Sequence, residues 1–231
     1  MSSLTGAPVA TCAVAVDVAL LTIRAGRLQL LLVQPDAPDL AGRWALPGRR
    51  VRDDESLDDT AHRALAELAS TTAPDAHLEQ LRTYGDPARD PRGRVVSVAY
   101  LAMTPTTRDP QDRHRARFWD VADLGHGPQL AYDHDRIVPD AIERARSKLE
   151  YTSLATAFVE EPFTLAELRQ VYEAVWGVRL DPANFRRKVV STEDFVVETT
   201  GFAPPGPEGG RPARRYRRGG AHRLHPAMLR P

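Results

Sequence analysis

The chain has 231 residues, 42% apolar and 27% charged, the balance of a soluble globular protein with room for one large domain or two small ones. Its 31 basic and 31 acidic side chains cancel, which excludes a uniformly basic coat, and a single cysteine, Cys12, excludes an intrachain disulfide or a cysteine-based zinc site. The most apolar stretch, Ala13–Ile23, is broken by Asp17 and too short to cross a bilayer, and no basic-then-apolar signal opens the chain, so no membrane partner and a cytoplasmic location are expected.

The first half reads as α/β. Thr11–Ile23 and Gln29–Val33, rich in Val, Leu and Ala, flank a turn at Ala25-Gly26 and predict two paired strands. A helix follows at Leu57–Ser70, then strands at Arg94–Met103 and Ala116–Trp119. Pro- and Asp-rich stretches at Pro35–Asp39, Gly85–Gly93 and Thr104–Asp112 read as loops. From about Tyr132 the pattern changes. Asp135–Phe158 is predicted helical from the spacing of Ile137, Ala141, Ile142, Ala145 and Leu149. Thr164-Leu-Ala-Glu167 is a capping box that opens a helix with the apolar face Leu165, Leu168, Val171, Tyr172, Val175 and Trp176, ended by Gly177. Asp181-Pro182 then supplies an N-cap and a first-turn proline for the next helix, Pro182–Val190. A strand at Phe195–Thr199, a Pro/Gly-rich loop at Gly201–Pro212 and a partner strand at Ala213–Arg218 complete the chain. The expected division is residues 1–131 and 132–231, the second part including the connecting helix.

Charge is divided unevenly. Residues 1–150 hold 19 basic against 22 acidic side chains, whereas residues 151–231 hold 12 against 9. Within Arg211–Arg223 there are six arginines and no acid, a cluster suited to an anionic partner, although the chain is arginine-rich throughout and the stretch also reads as a solvated loop.

The segment Leu46–Ser70, LPGRRVRDDESLDDTAHRALAELAS, is a charged turn leading into an amphipathic helix. On its own it also fits an unrelated helix of that kind. Its spacing resembles the box of the Nudix superfamily, G-x5-E-x7-R-E-U-x-E-E-x-G-U with U apolar. Arg49 falls on the box glycine, Glu55 on the first glutamate and Arg63 on the arginine; Ala64 replaces the next glutamate, Glu67 is retained, and Leu68 and Ser70 replace the last glutamate and glycine. The resemblance implies helix glutamates that hold a divalent metal against a pyrophosphate, and here two of those three are apolar. Ala64 and Leu68 instead extend a stripe with Leu57, Ala61 and Leu65, and Arg63 and Glu67 are spaced to pair. The expectation is a Nudix-like fold that binds a nucleoside-diphosphate compound without cutting it. Arg49, Arg50 and Arg52 are candidate pyrophosphate contacts and Trp44 a candidate for packing beside the ligand, with Glu67 completing the candidate ligand-binding set. The arginines also fit a solvated face and Trp44 a core position. No catalytic residue, no metal ligand and no required cofactor are assigned.

The two capped helices joined through Gly177 have the spacing of a helix-turn-helix. In the second, Phe185 and Val189 face inward, leaving Asn184, Arg186, Arg187 and Lys188 to read bases and phosphates. Arg211, Arg214, Arg215 and Arg217 on the strand–loop–strand that follows form a candidate basic wing.

A Nudix-like part followed by a winged helix resembles the NrtR family of Nudix-related transcriptional regulators of NAD metabolism. The residues that carry the likeness are Asp133-His-Asp-Arg-Ile137, Lys148-Leu-Glu-Tyr-Thr152, Phe163-Thr-Leu-Ala-Glu-Leu168, Val171-Tyr-Glu-Ala174, Asn184-Phe-Arg-Arg-Lys188 and Gly210-Arg-Pro-Ala213. The resemblance implies an α/β Nudix-like effector-binding domain followed by an α+β winged helix-turn-helix DNA-binding domain. It further implies a homodimer on double-stranded operator DNA, acting as a repressor of NAD biosynthesis or salvage genes, with ADP-ribose or a related nucleotide as effector. Two rival readings are a Nudix pyrophosphatase with an unusual box and an RNA- or protein-binding adaptor.

Overall fold

The computed structural model describes residues 11–69, 77–105, 109–110, 112, 114–204 and 212–231. Two apolar strands, β1 (Ala13–Arg24) and β5 (Val95–Met103), run parallel at the heart of a mixed sheet. β2 (Arg27–Val33), β4 (His77–Tyr84) and β6 (Ala116–Asp120) complete the order β4-β5-β1-β2-β6, and β3 (Gly48–Arg50) pairs with β1. Ala25 and Gly26, both at positive φ (48° and 72°), make the tight turn that returns β1 into β2.

Side-chain alternation along β1 feeds two apolar layers. Val16, Val18 and Leu20 face α1 (Leu57–Ala69), where Ala61, Ala64 and Leu65 are buried. Ala19 and Leu21 face the opposite layer, beneath Ile137, Ala141 and Ala145 of α2 (His134–Tyr151). That second layer continues without a break into Leu168, Tyr172 and Val175 of α3 (Leu165–Trp176), so the sheet and the C-terminal module share one core.

The helix expected over Asp135–Phe158 is interrupted. Thr152 is extended (φ −134°, ψ 161°), and a 3-10 segment, Ser153–Phe158, follows. The Thr152 hydroxyl donates to the Lys148 carbonyl at 2.7 Å, while the Tyr151 and Glu150 carbonyls accept from the Leu224 and Met228 amides at 2.9 and 2.8 Å. The C-terminal segment thereby satisfies carbonyls that a continuing helix would have used. Arg230 anchors the same segment to Glu143 and Glu150.

The C-terminal module is α3, α4 (Pro182–Ser191) and a small sheet ordered β7-β9-β8, from Phe163–Thr164, Ala213–Arg218 and Val196–Ala203. The anticipated caps are present. Thr164 and Glu167 form a reciprocal capping box, Gly177 closes α3 at φ 71°, and Asp181 accepts from the Asn184 amide at 2.8 Å. Tyr172 stacks edge-on with Trp176 and Phe185, at 4.8 and 5.4 Å between centroids, and locks α3 against α4. No described helix is long and apolar enough to cross a membrane.

Candidate ligand cleft and nucleic-acid interface

A cleft of about 450 Å³ opens where β3 meets β1 and the segment leading into α2. Gly48 lies against its floor, and a Cβ there would collide with the Asp17 carboxylate. Asp17, the one acid in the apolar β1, is buried and accepts from Ser97 Oγ at 2.5 Å. The buried Arg89 guanidinium spans Asp17, at 3.4 Å, and Asp133, at 2.8 Å. His134 Nδ1 accepts the Leu46 amide at 2.9 Å, which leaves the ring proton on Nε2, 3.5 Å from Asp17. Burial pushes the Asp17 carboxyl up, but His134, Ser97 and Arg89 together outweigh it and hold it below the ordinary value. Cleft floor and α2 N-terminus are thus joined by one network of charged hydrogen bonds.

Arg49 and Arg50 line this cleft. Arg49 Nε pairs with Glu67 at 2.7 Å, and with that arginine beside it the Glu67 carboxyl lies below its usual value. Arg63 turns to Glu55 with two contacts of 2.6 Å and donates to the Arg50 carbonyl at 2.9 Å, leaving Glu67 3.9 Å away. The anticipated Arg63–Glu67 pair is therefore secondary to Arg63–Glu55 and Arg49–Glu67. Arg52 is exposed, 3.5 Å from Glu55, and does not line the cleft. Neither does Trp44, whose ring packs edge-on against Trp119 at 5.4 Å in the layer beneath α2. Ala64 is fully buried in the α1 layer, as the apolar stripe anticipates; the side chain of Leu68 and residue Ser70 lie outside the described residues. Sequence reasoning missed Arg89, Arg92, Tyr132 and His134 as cleft residues. The lone Asp17 in an apolar strand was the one local signal.

On the C-terminal module, α4 buries Phe185 and Val189 and exposes Asn184, Arg186, Arg187 and Lys188, as the spacing anticipates. Arg187 donates to Asn184 Oδ1 at 2.7 Å, and Lys188 reaches the Leu229 carbonyl at 3.4 Å. The wing arginines divide. Arg214 pairs with Glu198 and lies over the Phe202 ring, Arg215 is half-buried and donates to the Pro162 carbonyl at 3.2 Å, and Arg217 is exposed. Arg211 lies outside the described residues. Among the described residues no group of three or more His, Cys, Asp or Glu side chains forms a metal site.

The family model for the NUDIX domain matches residues 13–141, and that for the NrtR DNA-binding winged helix domain matches residues 155–218. The ADPR responsive transcriptional repressor NtrR of Acinetobacter baylyi is 34% identical over 206 residues, 87% of this chain and 80% of that protein. The crystal structure of Shewanella oneidensis NrtR is 33% identical and superposes with a TM-score of 0.76 over 93% of this chain and 99% of that one. The same protein in complex with a 27mer DNA gives 0.71 over 89% and 93%, and its NUDIX domain with ADP ribose gives 0.53 over 59% and 90% at 34% identity. An ADP-ribose pyrophosphatase of Methanocaldococcus jannaschii is 30% identical over 114 residues, 48% of this chain and 64% of that protein. A mixed Nudix sheet whose core runs on into a capped helix pair and a basic hairpin, matched along nearly its whole length by these relatives, shows that this chain belongs to the NrtR family.

Proposed function

We propose that this protein is a transcriptional repressor of NAD biosynthesis or salvage genes, released from its operator by ADP-ribose or a related nucleotide. The observation that carries the reading is α4: a helix anchored by Phe185 and Val189 that offers Asn184, Arg186, Arg187 and Lys188 together to solvent. That is the surface a recognition helix needs in a major groove, and the Shewanella relative with this architecture was solved on DNA. Arg217 and the exposed Arg214 supply backbone contacts from the wing, with Arg211 and Arg215 assigned to the same wing. A homodimer on a palindromic site matches protein symmetry to operator symmetry, and such a repressor works in the cytoplasm, where the DNA is. Residues 1–131 serve as the effector-binding part and residues 132–231 as the DNA-binding part, with α2 between them.

The effector occupies the cleft, with its pyrophosphate toward Arg49 and Arg50. Arg52 and Trp44, which do not line it, act at most through Glu55 and through the packing beneath the sheet; Glu67 acts by orienting Arg49. A ligand shifts the DNA equilibrium only by its differential affinity for two forms of the protein, and the Asp17–Arg89–Asp133 bridge offers a route from the cleft to α2. The chain acts without hydrolysis and without a required cofactor, because Ala64 replaces a carboxylate and Arg49 occupies the remaining one. The second reading, a pyrophosphatase, is favoured by the Methanocaldococcus relative.

Binding of the full chain to labelled promoter DNA from its own genomic neighbourhood, with ADP-ribose titrated in, tests the proposal. Specific binding released by ADP-ribose is expected. Failure to bind any such DNA, or metal-dependent turnover of ADP-ribose at an ordinary enzymatic rate, overturns it.

A further inference from the structure

One wall of the cleft has chemistry unlike the rest. Tyr132 stands half-buried in it with φ at +56°, a left-handed conformation that a residue with a bulky side chain adopts only when its surroundings impose it. The imposition is visible on both sides. The Trp44 amide donates to the Gln129 carbonyl at 2.9 Å, the Ala131 amide donates to the Trp44 carbonyl at 2.8 Å, and the Leu46 amide donates to His134 Nδ1 at 2.9 Å. Tyr132 is the kink between these fixed points, and its ring is turned to the cleft.

The Arg92 guanidinium lies 5.0 Å from the centre of that ring. Asp90, almost wholly buried, grips Arg92 with two charged contacts of 2.9 and 2.8 Å. Arg92 is thereby neutralised and held in place, in contrast to Arg50, which has no ion-pair partner among the described residues. Unlike Arg49, which meets the exposed Glu67 through Nε alone, an arginine gripped on two nitrogens by a buried carboxylate is a poor phosphate ligand. What it still offers, laid on a tyrosine ring, is a flat surface for another flat group.

We infer that the Tyr132–Arg92 stack is the seat of the effector's planar base, a specificity-determining contact distinct from the Arg49–Arg50 end that takes the phosphates. The inference rests on the reading of the cleft as a nucleotide site. It also places the base one residue from Asp133 and two from His134, where α2 begins.

Calorimetric titration of ADP-ribose into the full chain, its Tyr132→Phe and Tyr132→Leu variants, and Arg92→Gln, tests the assignment. Stacking predicts that Tyr132→Phe keeps wild-type affinity, that Tyr132→Leu loses about tenfold or more, and that Arg92→Gln falls in the same direction. DNA binding without ligand serves as the check that each variant is folded, and Arg92→Gln carries the test if Tyr132→Leu fails that check. Wild-type affinity in Tyr132→Leu or, in that case, in Arg92→Gln overturns the base seat while leaving the effector reading intact. Equal losses in Tyr132→Phe and Tyr132→Leu also overturn it, because the hydroxyl rather than the ring would then hold the ligand. No binding of ADP-ribose by the wild-type chain removes the effector reading and this inference with it.

Discussion

The Arg49 guanidinium meets the Glu67 carboxylate at 2.7 Å across the turn that joins β3 to α1. Arg49 falls on the glycine of the Nudix box that Leu46–Ser70 resembles, and Glu67 on one of its helix glutamates. With Arg49 paired to it, the Glu67 carboxylate is already matched by a positive charge and is a poor ligand for a cation. A pyrophosphate arriving here meets guanidinium groups directly, as planar forks suited to phosphate oxygens.

Effector binding is accordingly expected to be independent of divalent cations. Calorimetry of ADP-ribose in EDTA and in millimolar magnesium should give affinities within about twofold, a difference of less than about 0.5 kcal/mol. A tenfold gain on adding magnesium would contradict the role given to Arg49.

Glu55 is held at a pKa of about 2, against a usual 4.5, chiefly by its bond to Arg63. A carboxylate whose folded value is depressed contributes stability above its unfolded value and loses it as pH falls through the folded one. The Glu55–Arg63 pair should therefore steepen the loss of stability between about pH 4.5 and pH 2. Urea unfolding across that window should give a flatter acid limb for Glu55→Gln than for the wild type. An unchanged slope would show that the pair carries no net proton linkage.

For DNA recognition, Arg187→Ala is expected to cost about 1–3 kcal/mol and relax base preference, because Arg187 is pre-oriented by its bond to Asn184 Oδ1. Arg217→Ala, on the exposed strand of the wing, should weaken all sequences alike and lower the salt dependence of binding. Titrations against operator and scrambled duplexes at several salt concentrations separate the two effects. A loss confined to the operator in Arg217→Ala would move that residue from backbone to base contact.

Tyr172 is fully buried between Trp176 and Phe185, and its hydroxyl has no hydrogen-bond partner among the described residues. Burial without a partner destabilises a polar group, so Tyr172→Phe keeps the ring stack and removes the cost. Stability should rise by about 1 kcal/mol, read as a higher urea midpoint at unchanged slope. A drop would reveal a hydroxyl contact that forms only in solution.

What was legible in the sequence was local. Asp181-Pro182 and the Thr164–Glu167 box fix helix starts within a few residues, and the apolar runs of β1 and β5 mark buried strands. β4 escaped because it is an edge strand whose Glu79, Gln80 and Arg82 erase the apolar pattern, and β3 because three residues carry no periodicity. The break at Thr152 depends on Leu224 and Met228, far along the chain, so helical spacing alone ran through it. The cleft was least legible. Arg89 lies 72 residues from Asp17 and 44 from Asp133, and Tyr132 sits between neighbours, Ala131 and His134, that are bonded to Trp44 and Leu46. Nothing in a loop read as Pro- and Asp-rich foretells those partners.

The apolar layer that runs from Ala19 and Leu21 through α2 to Leu168 and Tyr172 belongs to neither half alone. Cutting the chain between sheet and winged helix would open that layer to water on both fragments, and each would lose the partner that completes its interior. A single cooperative transition on heating is the expected consequence.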